Sequence, residues 1–412
     1  MPSSETPADR ATGLSRALPR VSLSRVVGVD VARCLALLGM MATHVLPGFD
    51  GARVPWPQQL AGGRASALFA VLAGVSLALV SGRERPPHGR VRVAASVRIL
   101  VRALLIGALG LTLGLLPTHI AVILGYYAVL FLLGLPFLGW SSRVLAVAAA
   151  AWVVVLPVVS MVVRPHLPPR VGGSPTPGDL LDPGRLAADL LFTGYYPAAV
   201  WVAYLLAGLA VGRSSLRRPR TAATMAGLGA ALVVGAALLS RALLARPGAQ
   251  DALRAEFPYD VTDPAMQDAF LVHGLSGSTP PGTWWWLAVE TPHSGTPLDL
   301  ARTIGSALLV IGVCLLVTRA GTRLWAAAFG AGAMTLSLYT LHVLVMAEGY
   351  WPHLERDYTE QVILVLGTGA VFALLGLRGP LEWLVGETAR AAGAIAGPRS
   401  RRPAPSGRPA DE

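Results

Sequence analysis

Residues 26–48 read VVGVDVARCLALLGMMATHVLPG, an apolar run long enough to cross a bilayer as a helix. Three ionisable residues interrupt it: Asp30, Arg33 and His44. A charged side chain at the centre of a membrane-spanning helix costs about 2.5 to 3.5 kcal/mol on insertion scales, so such groups usually face the interior of a bundle and mark a functional path. We therefore expect these three side chains to face the inside of a helix bundle.

The composition of the chain is that of an integral membrane protein. Of 412 residues, 53% are hydrophobic and 14% are charged, and the mean hydropathy is +0.56, which excludes a soluble globular domain of this length. We predict an all-α bundle of about ten spans. The predicted spans cover residues 26–46, 64–82, 94–116, 119–138, 144–163, 196–213, 221–240, 302–318, 325–347 and 359–377.

The positive charge predicts the orientation of these spans. All 34 basic residues are arginines, and they cluster in alternate connectors, which places both termini inside under the positive-inside rule. Because the arginines lie in short connectors between spans, the net charge of +11 does not indicate nucleic-acid binding. The two long connectors, 164–195 and 241–301, then lie outside and could cap a cavity.

The chain divides into one membrane domain with two tails. Residues 1–25 are predicted to be a disordered cytoplasmic tail, 26–385 a single transmembrane domain and 386–412 a second cytoplasmic tail. Cys34 and Cys314 fall inside predicted spans, so they indicate packing and not a disulfide framework or a zinc site.

The two ends of the first span carry different chemistry. Asp30 and Arg33 lie one turn apart near the inner boundary, where they can neutralise each other as a structural ion pair or contact a donor substrate. His44 lies about 21 Å beyond Asp30, at about 1.5 Å per residue. The inner arginine clusters could also bind the phosphates of an acyl-CoA, although topology already accounts for them.

Several candidates converge on the outer side with His44. The predicted topology places Arg64, His119, His293 and His342 there. Histidine titrates near neutral pH and can act as a base, an acid or an acyl carrier, so we identify His44, His342 and Arg64 as catalytic candidates and His119 and His293 as secondary ones. Alternatively, each histidine caps a helix end. Their spacings match no zinc signature, and no metal is expected.

Five segments, in this order, resemble the heparan-alpha-glucosaminide N-acetyltransferase-like and domain-of-unknown-function 418 membrane proteins. In this resemblance an Asp-x-x-Arg motif leads into an apolar helix. The segments are GVDVARCLALLGMMATHV (28–45), GRASALFAVLAGVSLAL (63–79), PHSGTPLDLARTIGSAL (292–308), MTLSLYTLHVLV (334–345) and GPLEWLV (379–385).

The resemblance implies a plasma-membrane acyltransferase. Such an enzyme moves an acetyl group from cytosolic acetyl-CoA, its co-substrate, to an amine or hydroxyl of an envelope sugar or small acceptor. The role of His44 is a hypothesis from the residues themselves, because the animal enzyme of this family has an asparagine at that position: His44 would be the general base or acyl carrier, and Arg64 and His342 would orient the acceptor or stabilise the oxyanion. Asp30 and Arg33 would hold the inner half of the helix and contact the donor.

Two other functions remain open. A transporter of a small polar or lipid-linked solute could use the same buried charges as a binding site or proton relay. A non-catalytic assembly protein of the cell envelope is the third possibility. The sequence does not identify the acceptor or the oligomeric state; expected partners are membrane lipids and a small-molecule or glycan acceptor.

Overall fold

The computed structural model describes residues 25–170 and 172–396, and within them the regular secondary structure is helical, apart from one isolated bridge between Asp50 and Arg53. The tail predicted at residues 1–25 therefore lies outside the described residues except for Arg25. The helices are α1 Val27–Val45, α2 Trp56–Ala61, α3 Arg64–Val80, α4 Gly89–Leu113, α5 Leu124–Gly134, α6 Ser142–Val163, α7 Pro183–Ala188, α8 Ala198–Gly212, α9 Pro219–Leu244, α10 Ala249–Ala255, α11 Pro264–His273, α12 Pro297–Val317, α13 Thr322–Ala328, α14 Thr335–Val345, α15 Tyr358–Leu375 and α16 Pro380–Ala396.

The described helices confirm the all-α membrane fold but give a lower span count. Seven are long and apolar enough to cross a membrane, or up to eight if the pair Pro183–Thr193 and Ala198–Gly212, bent by 53°, is one span. Two further apolar helices, Leu124–Gly139 and Thr335–Val345, are shorter. These shorter and bent elements account for the difference from the predicted ten.

The ninth predicted span, 325–347, was wrong as a continuous helix. It is broken into α13, a 3-10 turn at Gly330–Ala333, and α14. Glycine is required at the break: a Cβ added to Gly330 would overlap the Gly369 carbonyl oxygen, and one added to Gly332 would overlap that of Asp30. The turn packs so closely on α1 and α15 that a side chain at either glycine would not fit.

The bundle is centred on α8, which is buried at almost every residue. Its closest neighbour is α3, where Gly208 packs against the Val71 carbonyl and Gly74 against that of Leu205. Small residues allow helices to approach this closely in an apolar medium, where packing and not hydrophobic burial drives association. At the end of α8, the buried Arg213 donates to the carbonyls of Arg83 (2.6 Å) and Leu138 (2.8 Å), so this arginine also links connectors.

The predicted connectors contain more structure than expected. Residues 164–195 include α7 and a π-helical turn at Asp189–Thr193, and 241–301 include α10, α11 and a 3-10 turn at Trp284–Ala288. The predicted boundary at 385 falls within α16, which continues to Ala396 and packs on α4.

Candidate active site

One cavity, of about 360 Å³, is lined by four histidines and is called the histidine cavity here. Its histidines are His44, His119, His273 and His293. They come from the end of α1, the connector before α5, the end of α11 and the connector before α12. The structure therefore brings together three of the predicted residues, His44, His119 and His293, from distant parts of the chain.

A chain of hydrogen bonds links His44 to two buried residues. His44 Nδ1 lies 2.9 Å from His342 Nε2, and His342 Nδ1 lies 2.8 Å from Gln361 Oε1. The two imidazole planes are within 11° of each other, as an in-plane hydrogen bond between the rings requires. His342 and Gln361 are each only 2% exposed, so the hydrogen bond between them is shielded from solvent.

The direction of donation along this chain follows from Gln361. Its amide nitrogen donates to the Leu354 carbonyl at 2.8 Å, which leaves its oxygen to accept from His342 Nδ1–H. His342 Nε2 then accepts from His44 Nδ1–H. This network assigns the tautomers and leaves the Nε2 lone pair of His44, a residue that lines the cavity, as a proton acceptor with no hydrogen-bond partner among the described residues.

The end of α1 is held in place by two side chains. Gln58 Nε2 donates to the carbonyls of Thr43 (3.3 Å) and Leu46 (2.9 Å), and His119 Nε2 donates to that of His44 (3.2 Å). These bonds satisfy carbonyl groups that the last helical turn leaves without an intrahelical partner. His119 therefore helps to position His44 as well as lining the cavity.

His293 is held in an unfavourable backbone conformation. Its φ is 57°, a value that non-glycine residues rarely adopt. The residues that follow it are fixed by buried bonds: Asp299 Oδ2 accepts from Gly295 N–H at 3.0 Å, and Thr296 Oγ1 accepts from Asp299 N–H at 3.1 Å. Backbone strain that the surroundings over-determine in this way is concentrated at functional sites.

The His293 ring lies among aromatic residues on the cavity wall. Its centroid is 5.0 Å from that of Tyr195 and 5.9 Å from that of Tyr196. Burial, together with nearby His273, lowers the pKa of His293 to about 4, and burial lowers the pKa of His273 as well. Both rings are therefore neutral at physiological pH, and each can donate and accept a hydrogen bond.

A second cavity, of about 320 Å³, lies at the opposite end of α1 and is called the arginine cavity here. Arg33, which lines it, pairs with Asp30 (2.8 Å) and donates to Ser76 Oγ (2.7 Å). Arg25 also pairs with Asp30, at 2.6 Å. The predicted ion pair is thus present. Asp30 pairs with two arginines, and one of them, Arg33, also lines the cavity.

Arg102, Glu382 and Tyr127 also line the arginine cavity. Glu382 accepts from the Leu336 N–H at 2.6 Å and the Ser337 hydroxyl at 2.5 Å, and so caps α14. The Tyr127 hydroxyl is buried and has no hydrogen-bond partner among the described residues. The cavity therefore offers two arginines and an unsatisfied hydroxyl to a ligand.

Arg64 does not line either cavity. At the start of α3 it donates to the Gln59 carbonyl, and it lies near Asp299, Glu290 and Arg302. Glu290 and Arg302 form an ion pair at 2.7 Å. Arg64 therefore does not share the cavity lining with His44, although its neighbours Gly63 and Ala65 do, whereas His44 and His342 are in direct contact.

The sequence analysis missed Arg102, Gln361, Glu382 and Tyr127. Arg102 and Gln361 are polar residues inside apolar helices, so the argument that singled out Asp30 and Arg33 would have found them. Glu382 and Tyr127 carried no such signal, since one begins a terminal helix and tyrosine is common in spans. Among the described residues, no group of three or more His, Cys, Asp or Glu side chains could hold a metal ion.

The model of the heparan-alpha-glucosaminide N-acetyltransferase catalytic family matches residues 25–245, just over half of the chain. The chain belongs to this family. The match extends from the Asp30 ion pair to the end of α9, and it confirms the resemblance carried by α1 and α3. It identifies the protein as a member of a membrane acetyltransferase family. A search of curated proteins found no match.

The family match ends before the part of the histidine cavity that His273 and His293 line. His273, His293, His342 and Gln361 all follow residue 245. The family match does not cover these four residues, and their geometry alone connects them to the site.

Proposed function

We propose that this protein is a plasma-membrane acyltransferase that moves an acetyl group from cytosolic acetyl-CoA to an amine or hydroxyl of an envelope sugar or small acceptor. The family match supports acetyl transfer. The observation that carries the proposal is the hydrogen-bonded chain from Gln361 through His342 to His44, which ends in a free imidazole nitrogen at a cavity.

The proposed topology places the two cavities on opposite faces of the membrane. The seven long helices, the bent pair and the two shorter apolar helices together give ten crossings with both termini inside. The arginine cavity then opens toward the cytosol and the histidine cavity toward the outside. An even number of crossings agrees with the arginine-rich connectors on one side.

His44 acts as the general base in this mechanism. As the acceptor nitrogen or oxygen attacks the thioester carbonyl, its proton passes to His44 Nε2, a new C–N or C–O bond forms and the C–S bond breaks. The proton then passes to the departing thiolate, which gives free CoA. His342 accepts from His44 Nδ1–H throughout, which orients the ring and stabilises the imidazolium.

The remaining predicted residues take supporting roles. Arg33 and Arg102 are the cations available for the phosphates of the donor, and Asp30 holds Arg33 in place. His119 positions the His44 backbone, and the neutral His293 binds the acceptor beside Tyr195. Arg64, which does not line the cavity although its neighbours Gly63 and Ala65 do, holds the start of α3.

Transfer of radiolabelled acetyl from acetyl-CoA tests the proposal. Purified protein in liposomes is supplied with labelled donor on one side and a panel of amino sugars and polyols on the other. We expect labelled product, and a rate about 10² to 10⁴-fold lower for His44→Ala, the usual contribution of a general base. His88→Ala, an exposed histidine outside both cavities, is the matched control and should leave the rate unchanged.

A transporter is the second candidate, because two cavities at opposite ends of one helix also suit alternating access. The same liposomes distinguish the two functions. Absence of labelled product with every acceptor, together with uptake of a labelled acceptor into the liposomes, would replace the acyltransferase with a transporter.

A further inference from the structure

Three residues on α1 form a stripe that faces both cavities. Arg33, Met40 and His44 follow one another at spacings of seven and four residues, which places them on one face of a helix. Arg33 lines the arginine cavity and His44 lines the histidine cavity. Of the described residues, Met40 alone lines both.

The distances along α1 give Met40 a specific place in the reaction. At about 1.5 Å per residue, Met40 lies about 10 Å from Arg33 and about 6 Å from His44 along the helix axis. A general base must come within about 3 Å of the proton that it takes. A donor whose phosphates lie at Arg33 must therefore bring its acyl carbon past Met40 to meet an acceptor at His44.

We propose that the Met40 side chain is the septum between the two cavities and sets the size of the acyl group that passes from one to the other. The selectivity for the acyl group rests on the proposed function, whereas the position of Met40 between the two cavities rests on geometry alone. Met40 is only 5% exposed and lines both cavities, which puts it at the boundary between them. Methionine is unbranched with three rotatable bonds, which allows it to close against a small group and move aside for it.

Met41 provides a matched control for Met40. It carries the same side chain, is fully buried on the same helix and lines neither cavity. A change to alanine at either position removes the same atoms from α1. Only the change at Met40 widens the passage.

The first experiment measures acyl selectivity in the liposome assay as the ratio of kcat/KM for acetyl-CoA to that for butyryl-CoA. A methylene in an apolar pocket changes such ratios about 10- to 200-fold, so Met40→Ala should lower the preference for acetyl by at least about tenfold. Met41→Ala should leave the ratio unchanged. Equal ratios in both variants would overturn the inference while leaving the proposed function intact.

The second experiment tests the septum without requiring activity. In a Cys34→Ala, Cys314→Ala background, Met40→Cys and Met41→Cys are treated with a charged methanethiosulfonate reagent in right-side-out and inverted vesicles. The variant M40C should react from both faces, and M41C from neither. If M40C reacts from only one face, or from neither, Met40 is not a septum between the two cavities. Reaction from both faces without acyl transfer by wild type would overturn the proposed function and the acyl selectivity, but not the septum.

Discussion

The two cavities differ in how far apart in sequence their polar partners lie. In the arginine cavity, Asp30 pairs with residues three and five positions away, Arg33 and Arg25. In the histidine cavity, the partner of His44 is His342, which is 298 positions away. The charged end of α1 is therefore neutralised locally, whereas the histidine end depends on the whole bundle.

This difference has a physical basis in the cost of a buried charge. An unpaired charge in a membrane helix is costly, and a partner one turn away neutralises it as soon as the helix forms. A neutral imidazole carries no such penalty, so its partners can be supplied late and from a distance. The arginine cavity is accordingly suited to binding, and the histidine cavity to proton transfer that depends on orientation.

The largest expected effect that separates the two cavities is on kcat. Gln361→Leu removes the acceptor that fixes the tautomer of His342, so His44 loses its orientation and kcat should fall about 10- to 100-fold, part of the total that a general base supplies. The KM for acetyl-CoA should not change. Steady-state kinetics and a pH profile of kcat measure this effect.

The control for this prediction is the opposite exchange on the same helix. Leu364→Gln places an amide on the exposed side of α15 and should leave kcat unaffected. Equal losses of kcat in the two variants would show that Gln361 supports only the packing of α15.

A smaller effect, on KM, is expected at the arginine cavity. Arg102→Leu removes a cation that has no hydrogen-bond partner in the described residues, and the KM for acetyl-CoA should rise about tenfold, or about 1.4 kcal/mol, with kcat nearly unchanged. Arg98→Leu, one turn earlier on α4 and outside the cavity, is the control. A fall in kcat without a rise in KM would contradict the assignment of this cavity to the donor.

The smallest expected effect concerns stability as a function of pH. The pKa of His293 is about 4 in the folded protein and about 6.5 in an unfolded chain, so between these values the unfolded state binds a proton that the folded state does not. Stability should therefore be complete above about pH 6.5 and fall as the pH is lowered toward 4. In His293→Asn this fall should be shallower, as measured by thermal unfolding in detergent.

Part of the loss of stability at low pH should remain in His293→Asn, because burial also lowers the pKa of His273. His88→Asn, at an exposed position, is expected to follow the wild-type curve. Identical curves for wild type and His293→Asn would show that the His293 ring is not held neutral by the fold.

Much of the fold could be predicted because apolar length is a local property. The first span was predicted at 26–46 and is a helix at Val27–Val45, and the span predicted at 144–163 is a helix at Ser142–Val163. The broken helix at 325–347 could not be predicted in this way. The segment is long and apolar enough to be predicted as one span. The break lies where Gly330 and Gly332 pack against the backbones of α15 and α1, which are distant in sequence.

The candidate site was predictable only in its composition. Residue type and topology indicated that His44, His119 and His293 lie at one end of the bundle, and all three line one cavity. The contacts of His342 with His44 and Gln361, and the absence of Arg64 from the residues that line the cavity, depend on helix rotation. No local sequence pattern determines how far each helix is rotated about its own axis, and this rotation decides which side chains of two helices meet.

The sequence by itself determined that this protein is a helical membrane protein and that it belongs with the acetyltransferases of its family. It also determined that Asp30 and Arg33 neutralise each other. Hydropathy, motif and i, i+3 spacing were sufficient for this because each acts within a few turns of helix. Only the tertiary structure decided which histidine nitrogen faces the cavity and which residue separates the two cavities. Those properties arise where α1, α14 and α15 meet, and the rotation of each helix is fixed only when the others have packed against it.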